Sequence, residues 1–203
     1  IAIDGSKKAH ITYYDAIGGG LKYVTNTPTN FPASNNWVAL PLDSSGDAGL
    51  NASIALSTDM LGDPVVHVSY LDATNFRLKY ITNPFTTPVV VDQAEDVGRY
   101  AGLAVDAEGH AHVAYYDILN RNLKVATNAA GAWVSSVVDE TGDVGSFADA
   151  ALDGQGVVSI CYYDAGNDQL KYARMDGSGI TTVNSAGDGG QYAAIALDAS
   201  GKA

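Results

Sequence analysis

The stretch His112-Val-Ala-Tyr-Tyr-Asp117 indicates the fold of this chain, because near copies of it occur three more times. Side chains alternate between the two faces of a strand, and β-branched and aromatic residues favour strands. Each copy is followed by a turn and then by a Leu-Lys pair. The other copies are His10–Asp15, His67–Asp72 and Ser159–Asp164, and the pairs begin at Leu21, Leu78, Leu123 and Leu170.

A glycine fixes the register of the repeat, which recurs every 45 to 49 residues. An Asp stands two residues before each glycine, and an Asp or Asn stands six residues before it. The four glycines are Gly49, Gly98, Gly145 and Gly190. Units of this length made of short alternating strands are typical of β-propeller blades.

We therefore predict an all-β fold, a β-propeller of four-stranded antiparallel blades in one domain over residues 1–203. The repeats run over about 1–53, 54–102, 103–149 and 150–194, and a partial unit over 195–203 repeats the pattern of residues 1–9. Within a blade, the inner strand is predicted over, for example, Leu103–Asp106, and the outer strand over Trp37–Asp43. Residues 195–203 add one extra inner strand to four blades. The chain is then either a four-bladed ring or part of a larger one.

The charge of the chain excludes some partners. Its formal net charge is −12 and its pI is near 4.4. Nucleic acids need a basic surface, and no apolar run is long enough to cross a membrane, so we expect neither nucleic-acid binding nor membrane insertion. The composition favours an extracellular or cell-surface protein. The single cysteine, Cys161, replaces small residues of the other copies and is interpreted as part of the core.

Recurring aspartates raise the question of a metal. In a propeller, the turns after the second strand and the connections between blades share one face. This would gather Asp47, Asp96, Asp143 and Asp188 on an acidic rim, and carboxylate oxygens are ligands that calcium prefers. No other cofactor is predicted. The alternative is that these residues cap turns, since Asp accepts backbone N–H bonds there. The histidines of the repeat are expected to be structural.

Positions where the copies differ are the best candidates for ligand binding, because the scaffold does not explain them. Asp149 and Arg99 stand near the predicted axis, where other copies have different residues. The turns after the second strand vary as well, and loop tips on a rigid scaffold often carry recognition. They contribute Phe76, Arg77, Asn120 and Arg121.

The phrases His-x-x-Tyr-Tyr-Asp and Leu-Lys-Tyr-x-Thr resemble repeats of bacterial secreted or surface β-propellers, including fucose-specific-lectin-like and sialidase-like ones. The resemblance implies a non-enzymatic binding or adhesion module that recognises glycan or protein. One alternative is a structural subunit that self-associates through exposed blade edges. Another is a glycan-processing enzyme that uses carboxylates of the channel, led by Asp149.

Overall fold

A computed structural model describes residues 1–26, 37–187 and 189–203. These residues form sixteen strands and no helix, and the strands make four antiparallel four-stranded sheets in sequence order. The first sheet contains β1 (Ala2–Ile3), β2 (Ala9–Asp15), β3 (Gly20–Asn26) and β4 (Trp37–Asp43). The second contains β5 (Ala48–Thr58), β6 (Pro64–Asp72), β7 (Arg77–Thr82) and β8 (Val89–Val90). The third contains β9 (Val97–Val105), β10 (Ala111–Asp117), β11 (Asn122–Thr127) and β12 (Val134–Asp139). The fourth contains β13 (Val144–Leu152), β14 (Val158–Asp164), β15 (Gln169–Arg174) and β16 (Gly179–Asn184).

The predicted propeller-type fold is confirmed, with a difference in the inner strands. The sequence predicted short inner strands such as Leu103–Asp106, whereas β9 begins at Val97. Each long inner strand starts beside the marker glycine and continues through a bulge. The predicted repeat boundaries at about 53, 102 and 149 therefore fall inside β5, β9 and β13.

Three apolar cores join consecutive sheets. Bulky side chains of one sheet's second strand, such as Tyr70, pack against the third strand of the preceding sheet, which supplies Leu21. The same packing joins the second sheet to the third and the third to the fourth. In the described part of the chain, no core joins the fourth sheet to the first. Tyr13 is accordingly 40% exposed, while its counterparts Tyr70, Tyr115 and Tyr162 are fully buried.

A buried polar network accompanies each core, and it explains most of the recurring aspartates. The Nζ atom of Lys79 lies 2.7 Å from Oδ2 of Asp72 in its own sheet and 3.1 Å from Oδ2 of Asp43 in the preceding sheet. The Tyr70 hydroxyl donates to Asp43 at 2.7 Å. We call this arrangement of a lysine, two aspartates and a tyrosine the joint network. Its other copies are Lys124, Asp92, Asp117 and Tyr115, and Lys171, Asp139, Asp164 and Tyr162.

The marker glycine allows each inner strand to approach the preceding sheet. Gly98 has a φ of 99°, and a Cβ there would lie 2.7 Å from Cβ and 2.8 Å from Cα of Leu78. Such a conformation and contact favour glycine alone. Gly190 stands against Leu170 in the same way, so the segment 189–203 continues along the fourth sheet.

The extra inner segment lies where the sequence predicts it, but it forms no ladder. The Ile195 amide donates to Asp149 at 2.9 Å, and the turn at Asp198 repeats the turn that follows β1. No strand pairs with residues 195–198 in the described part of the chain. The four described sheets therefore form an open array with propeller packing. Self-association through its edges stays a prediction.

Candidate functional site

Bulges in the inner strands aim one side chain of each towards the centre of the array. Ladder pairing in β9 skips from Gly102 to Arg99, which leaves Tyr100 and Ala101 without partners across the sheet. Bulges are common beside functional sites, because they redirect a side chain. The same position has a left-handed backbone in every copy, with φ values of 51°, 53°, 54° and 56° at Asn51, Tyr100, Phe147 and Tyr192.

Three of these residues form a row of rings, which we call the axial aromatic row. The ring centroids of Tyr100 and Phe147 lie 4.3 Å apart, and those of Phe147 and Tyr192 lie 4.4 Å apart. Tyr192 is 81% exposed. The row lines an open depression of about 260 Å³ together with Asn51 and Asp149. Such a surface offers apolar rings with polar groups at their edges, a combination common in ligand sites.

A second depression adjoins the first and shares Asn51 and Tyr100 with it. Its volume is about 290 Å³, and Phe76 and Arg99 line it. The Nε atom of Arg99 is buried without a hydrogen-bond partner, and its Nη2 lies 3.8 Å from Oδ1 of Asp96. The Arg99 side chain as a whole is 41% exposed, so a ligand in this depression can reach it. Phe76 has a φ of 52° and is 48% exposed.

Asp149 stands at the edge of the first depression and also has a structural contact. Its Oδ2 accepts the Ile195 amide, as Ser53 Oγ accepts the Leu103 amide at 3.2 Å. Gly102 makes room for it, since a Cβ there would lie 2.5 Å from Cα of Asp149. Asp149 is the one carboxylate that lines this depression within the described residues.

The remaining predicted ligand residues lie apart from the two depressions. Arg77 lines a neighbouring hollow with Phe76, but its Nη1 donates to the carbonyls of Gln93 and Ala94. Asn120 donates through Nδ2 to Asp117 at 3.0 Å, and Asn75 and Asn167 make the equivalent bond. Arg121 has a φ of 57°, and its carbonyl accepts the Val144 amide. The structure therefore brings together Phe76, Arg99 and Asp149 from the predicted set.

The aspartates that were predicted to form an acidic rim hold neighbouring loops together through their backbone carbonyls. The carbonyls of Asp47, Asp96 and Asp143 accept amides from the turn that follows the second strand of the next sheet, so both connections share one face as expected. Asp143 also accepts the Tyr116 hydroxyl at 2.6 Å. Among described residues these three carboxylates form no group of metal ligands with one another. Asp188 lies outside the described residues, and the calcium site stays a prediction.

Cys161 is a core residue. It pairs across the sheet with Asp149 and is 8% exposed. Burial raises the pKa of its thiol to about 11, so the thiol is protonated at neutral pH. A protonated, buried thiol is a weak nucleophile.

The axial aromatic row was not predicted from the sequence. The signal was present, because the row stands two residues after the marker glycine in each repeat. The residues there are Asn51, Tyr100, Phe147 and Tyr192. Alternation along a regular strand would not place them at the axis, since the bulge that does so has no pattern of its own in the sequence.

Known proteins share the fold of this chain without sharing its sequence. No family model matches it, and no curated protein matches it. A mutant of AofleA from Arthrobotrys oligospora, with three arginines replaced, aligns over 92% of this chain and 56% of its own length, at 12% identity and a TM-score of 0.58. A polysaccharide lyase, a PL25 ulvan lyase, aligns over 91% of this chain and 56% of its own length, at 14% identity and a TM-score of 0.57.

A fucose lectin from Kordia zhangzhouensis, solved with methyl-fucoside, aligns over 64% of this chain and 96% of its own length, at 20% identity and a TM-score of 0.46. The chain thus spans little more than half of the AofleA and lyase structures. In the described part of this chain, no helix is long and apolar enough to cross a membrane. At these identities the likeness concerns the architecture alone.

Proposed function

We propose that this chain is a non-enzymatic module that binds a saccharide at the axial aromatic row. The observation that carries the proposal is the row itself, three rings on left-handed backbone beside a depression, two of them at strand bulges. Left-handed backbone is costly for residues other than glycine, and such strain is often found at functional sites. A scaffold role alone would not need aromatic side chains that are partly exposed.

The chemistry of the site suits a sugar ring. One face of a pyranose presents C–H groups, which can pack on an aromatic ring, while its hydroxyls need hydrogen-bond partners at the edge. Arg99 supplies a partly exposed guanidinium, and Asp149 and Asn51 supply further polar atoms along the two adjoining depressions. A polysaccharide lyase shares the fold, so this architecture is compatible with saccharide binding.

The same geometry gives less support to the enzyme alternative. Hydrolysis of a glycosidic bond commonly uses two carboxyl groups, about 5 to 10 Å apart. The depression beside the row offers Asp149 alone among the described residues. One Oδ atom of that carboxylate already accepts the Ile195 amide. Among the described residues, the depression therefore has groups that suit saccharide binding, but not the pair of carboxyl groups that hydrolysis commonly uses.

A glycan array with neutral and acidic saccharides tests the proposal. The labelled wild-type chain is applied beside the variants Tyr192→Ala and Tyr13→Ala. Tyr192 is in the row, while Tyr13 is an exposed tyrosine on the open face of the first sheet. We expect Tyr192→Ala to weaken binding about tenfold or more, because it removes a stacking surface.

Tyr13→Ala is the matched control and should bind like the wild type. If no saccharide is bound, or if both variants lose binding equally, the row is not a saccharide site. Circular dichroism of each variant checks that the fold is retained before the array is interpreted.

A further inference from the structure

We propose that the turn between β9 and β10 binds a divalent transition-metal ion, with zinc as the best match, through Asp106, Glu108 and His110. His112, the second residue of β10, is the fourth candidate ligand. The turn lies at the end of the inner strand away from the bulge, so this site is separate from the axial aromatic row. The proposal does not depend on the saccharide site.

The scaffold of the turn is common to five places in the chain. In each, one carboxylate oxygen of an aspartate accepts the amides two and four residues later. In the third turn, Oδ1 of Asp106 accepts the Glu108 amide at 3.1 Å and the His110 amide at 2.7 Å. This fixes the carboxylate and leaves Oδ2 for other contacts. The equivalent aspartates are Asp4, Asp59, Asp153 and Asp198.

Glu108 and His110 are not needed to form the turn between β9 and β10. Glu108 and His110 occupy positions that hold different residues in every other copy, and all of those copies form the same turn. The counterparts of Glu108 are Ser6, Leu61, Gln155 and Ser200, and those of His110 are Lys8, Asp63, Val157 and Lys202. Two metal-binding side chains are therefore present without a structural requirement.

A second, independent observation concerns His112. Its counterparts His10 and His67 each have Nδ1 within 2.6 Å of a tyrosine hydroxyl from the third strand. In the third sheet Val125 stands at that tyrosine's position. Nε2 of His112 is buried without a hydrogen-bond partner and lies 3.6 Å from Oδ2 of Asp106. A buried imidazole nitrogen that points at the same carboxylate oxygen as the cluster is an unused ligand.

The distances suit one ion. Oδ2 of Asp106 lies 2.9 Å from Nδ1 of His110, and the ligand atoms of Asp106, Glu108 and His110 all lie within 4.8 Å of one another. A tetrahedral zinc ion with bonds of about 2.1 Å holds its ligands about 3.4 Å apart. The observed separations bracket that spacing.

The surroundings fit an ion that enters from solvent. Glu108 is exposed and lines an open cavity together with Gly109 and Asn128. The His112 side chain is only 12% exposed, so its imidazole stands at the inner side of the cluster. Two histidines and two carboxylates favour zinc over calcium, which prefers oxygen ligands alone.

Isothermal titration of the chelator-treated chain with Zn²⁺ tests the proposal. The double variant Glu108→Ser with His110→Lys gives the third turn the same sequence as the fifth turn, Asp198–Lys202, so it should fold. We expect one ion per chain for the wild type and at least 100-fold weaker binding for the double variant. His112→Gln, which keeps the size of the side chain, should weaken Zn²⁺ binding by a smaller factor.

Asp63→Ala is the control, because it removes a carboxylate from the equivalent position of the second turn. It should bind Zn²⁺ like the wild type, and Ca²⁺ should not compete with Zn²⁺. Failure of the wild type to bind Zn²⁺, or unchanged affinity in the double variant, would overturn the proposal. Because these readouts need no saccharide, their failure is distinguishable from failure of the proposed function.

Discussion

The joints between the sheets and the axial aromatic row show opposite uses of a repeated sequence. The three joint networks contain the same residue types in the same contacts, with lysine side chains that are 12 to 15% exposed. The row and its neighbours differ from copy to copy. Each joint uses the same residue types, whereas equivalent positions around the axis hold different residues. These are Asn51, Tyr100, Phe147 and Tyr192.

This difference separates stability from recognition within one chain. A contact that recurs in every joint is explained by packing, and substituting it should cost folding free energy. A residue that changes between copies while the backbone stays constant is not required by the fold. We expect substitutions at the joints to affect unfolding and substitutions at the row to affect ligands.

The largest effect on stability is expected for Lys124→Met. Lys124 is buried between Asp92 and Asp117, so the variant leaves two aspartates without their cation. Breaking a buried ion pair from one side costs about 3–5 kcal/mol. Urea unfolding followed by circular dichroism measures this change in the free energy of unfolding.

Lys22→Met is the matched control, because Lys22 is the lysine of the same Leu-Lys pair in the first sheet. Among the described residues its one ion pair is with Asp15, and its side chain is 37% exposed. An exposed pair contributes about 0–1 kcal/mol. If both variants lost the same free energy of unfolding, burial in the joint would not be the reason that the network stabilises the fold.

A smaller loss of stability is expected at acid pH. Burial opposes ionisation of Asp43, but hydrogen bonds from Ser45, Tyr70 and Lys79 outweigh burial and bring its pKa from 3.8 to about 2. A carboxyl group whose pKa is lower in the folded state stabilises the fold above pH 3.8. That contribution is lost as the pH falls from 3.8 towards 2, and for Asp43 it amounts to about 2 kcal/mol.

Urea midpoints measured between pH 6 and pH 2.5 should therefore fall below about pH 4. The pKa values of Asp92 and Asp139 are lowered in the same direction, for Asp92 because bonds from Lys124 and Tyr115 outweigh burial. The variant Asp43→Asn should show a shallower fall than the wild type. A midpoint that stays constant over this range would contradict the importance of ionised joints.

Much of the fold could be predicted from sequence because alternation and recurrence are local signals. The second strands were predicted within one residue in the first, third and fourth copies, as with β10 at Ala111–Asp117, and β4 was predicted without error at Trp37–Asp43. The inner strand β9 was predicted too short, because its bulge interrupts the alternation. The joint networks were not predicted, because they depend on contacts between neighbouring sheets. The contacting residues are 23 to 36 positions apart in the chain.

The site was predicted only in part, for a related reason. Divergence between copies selected Arg99 and Asp149, which line the adjoining depressions, and their role in ligand binding stays a prediction. It also selected Asn120, whose side chain closes a turn on Asp117 as its counterparts do. Variation in a turn does not distinguish a ligand contact from a local hydrogen bond, and the direction of a bulged side chain requires coordinates.

The smallest effect on stability is expected for Arg99→Ala. Its Nε is a buried donor without a partner, and its nearest carboxylate oxygen is 3.8 Å away. Removal therefore breaks no strong contact and relieves an unpaired donor, so the free energy of unfolding should change by less than about 0.5 kcal/mol. The same variant should weaken saccharide binding about tenfold, because it removes the donor offered to a hydroxyl.

Arg121→Ala supplies the comparison, since Arg121 is an arginine of a neighbouring turn that lines neither depression. It should change neither saccharide binding nor, by more than about 0.5 kcal/mol, stability. A loss of several kcal/mol in Arg99→Ala, similar to that of Lys124→Met, would place Arg99 with the joints. The contrast between recurring joints and a variable axis would then no longer identify the binding residues.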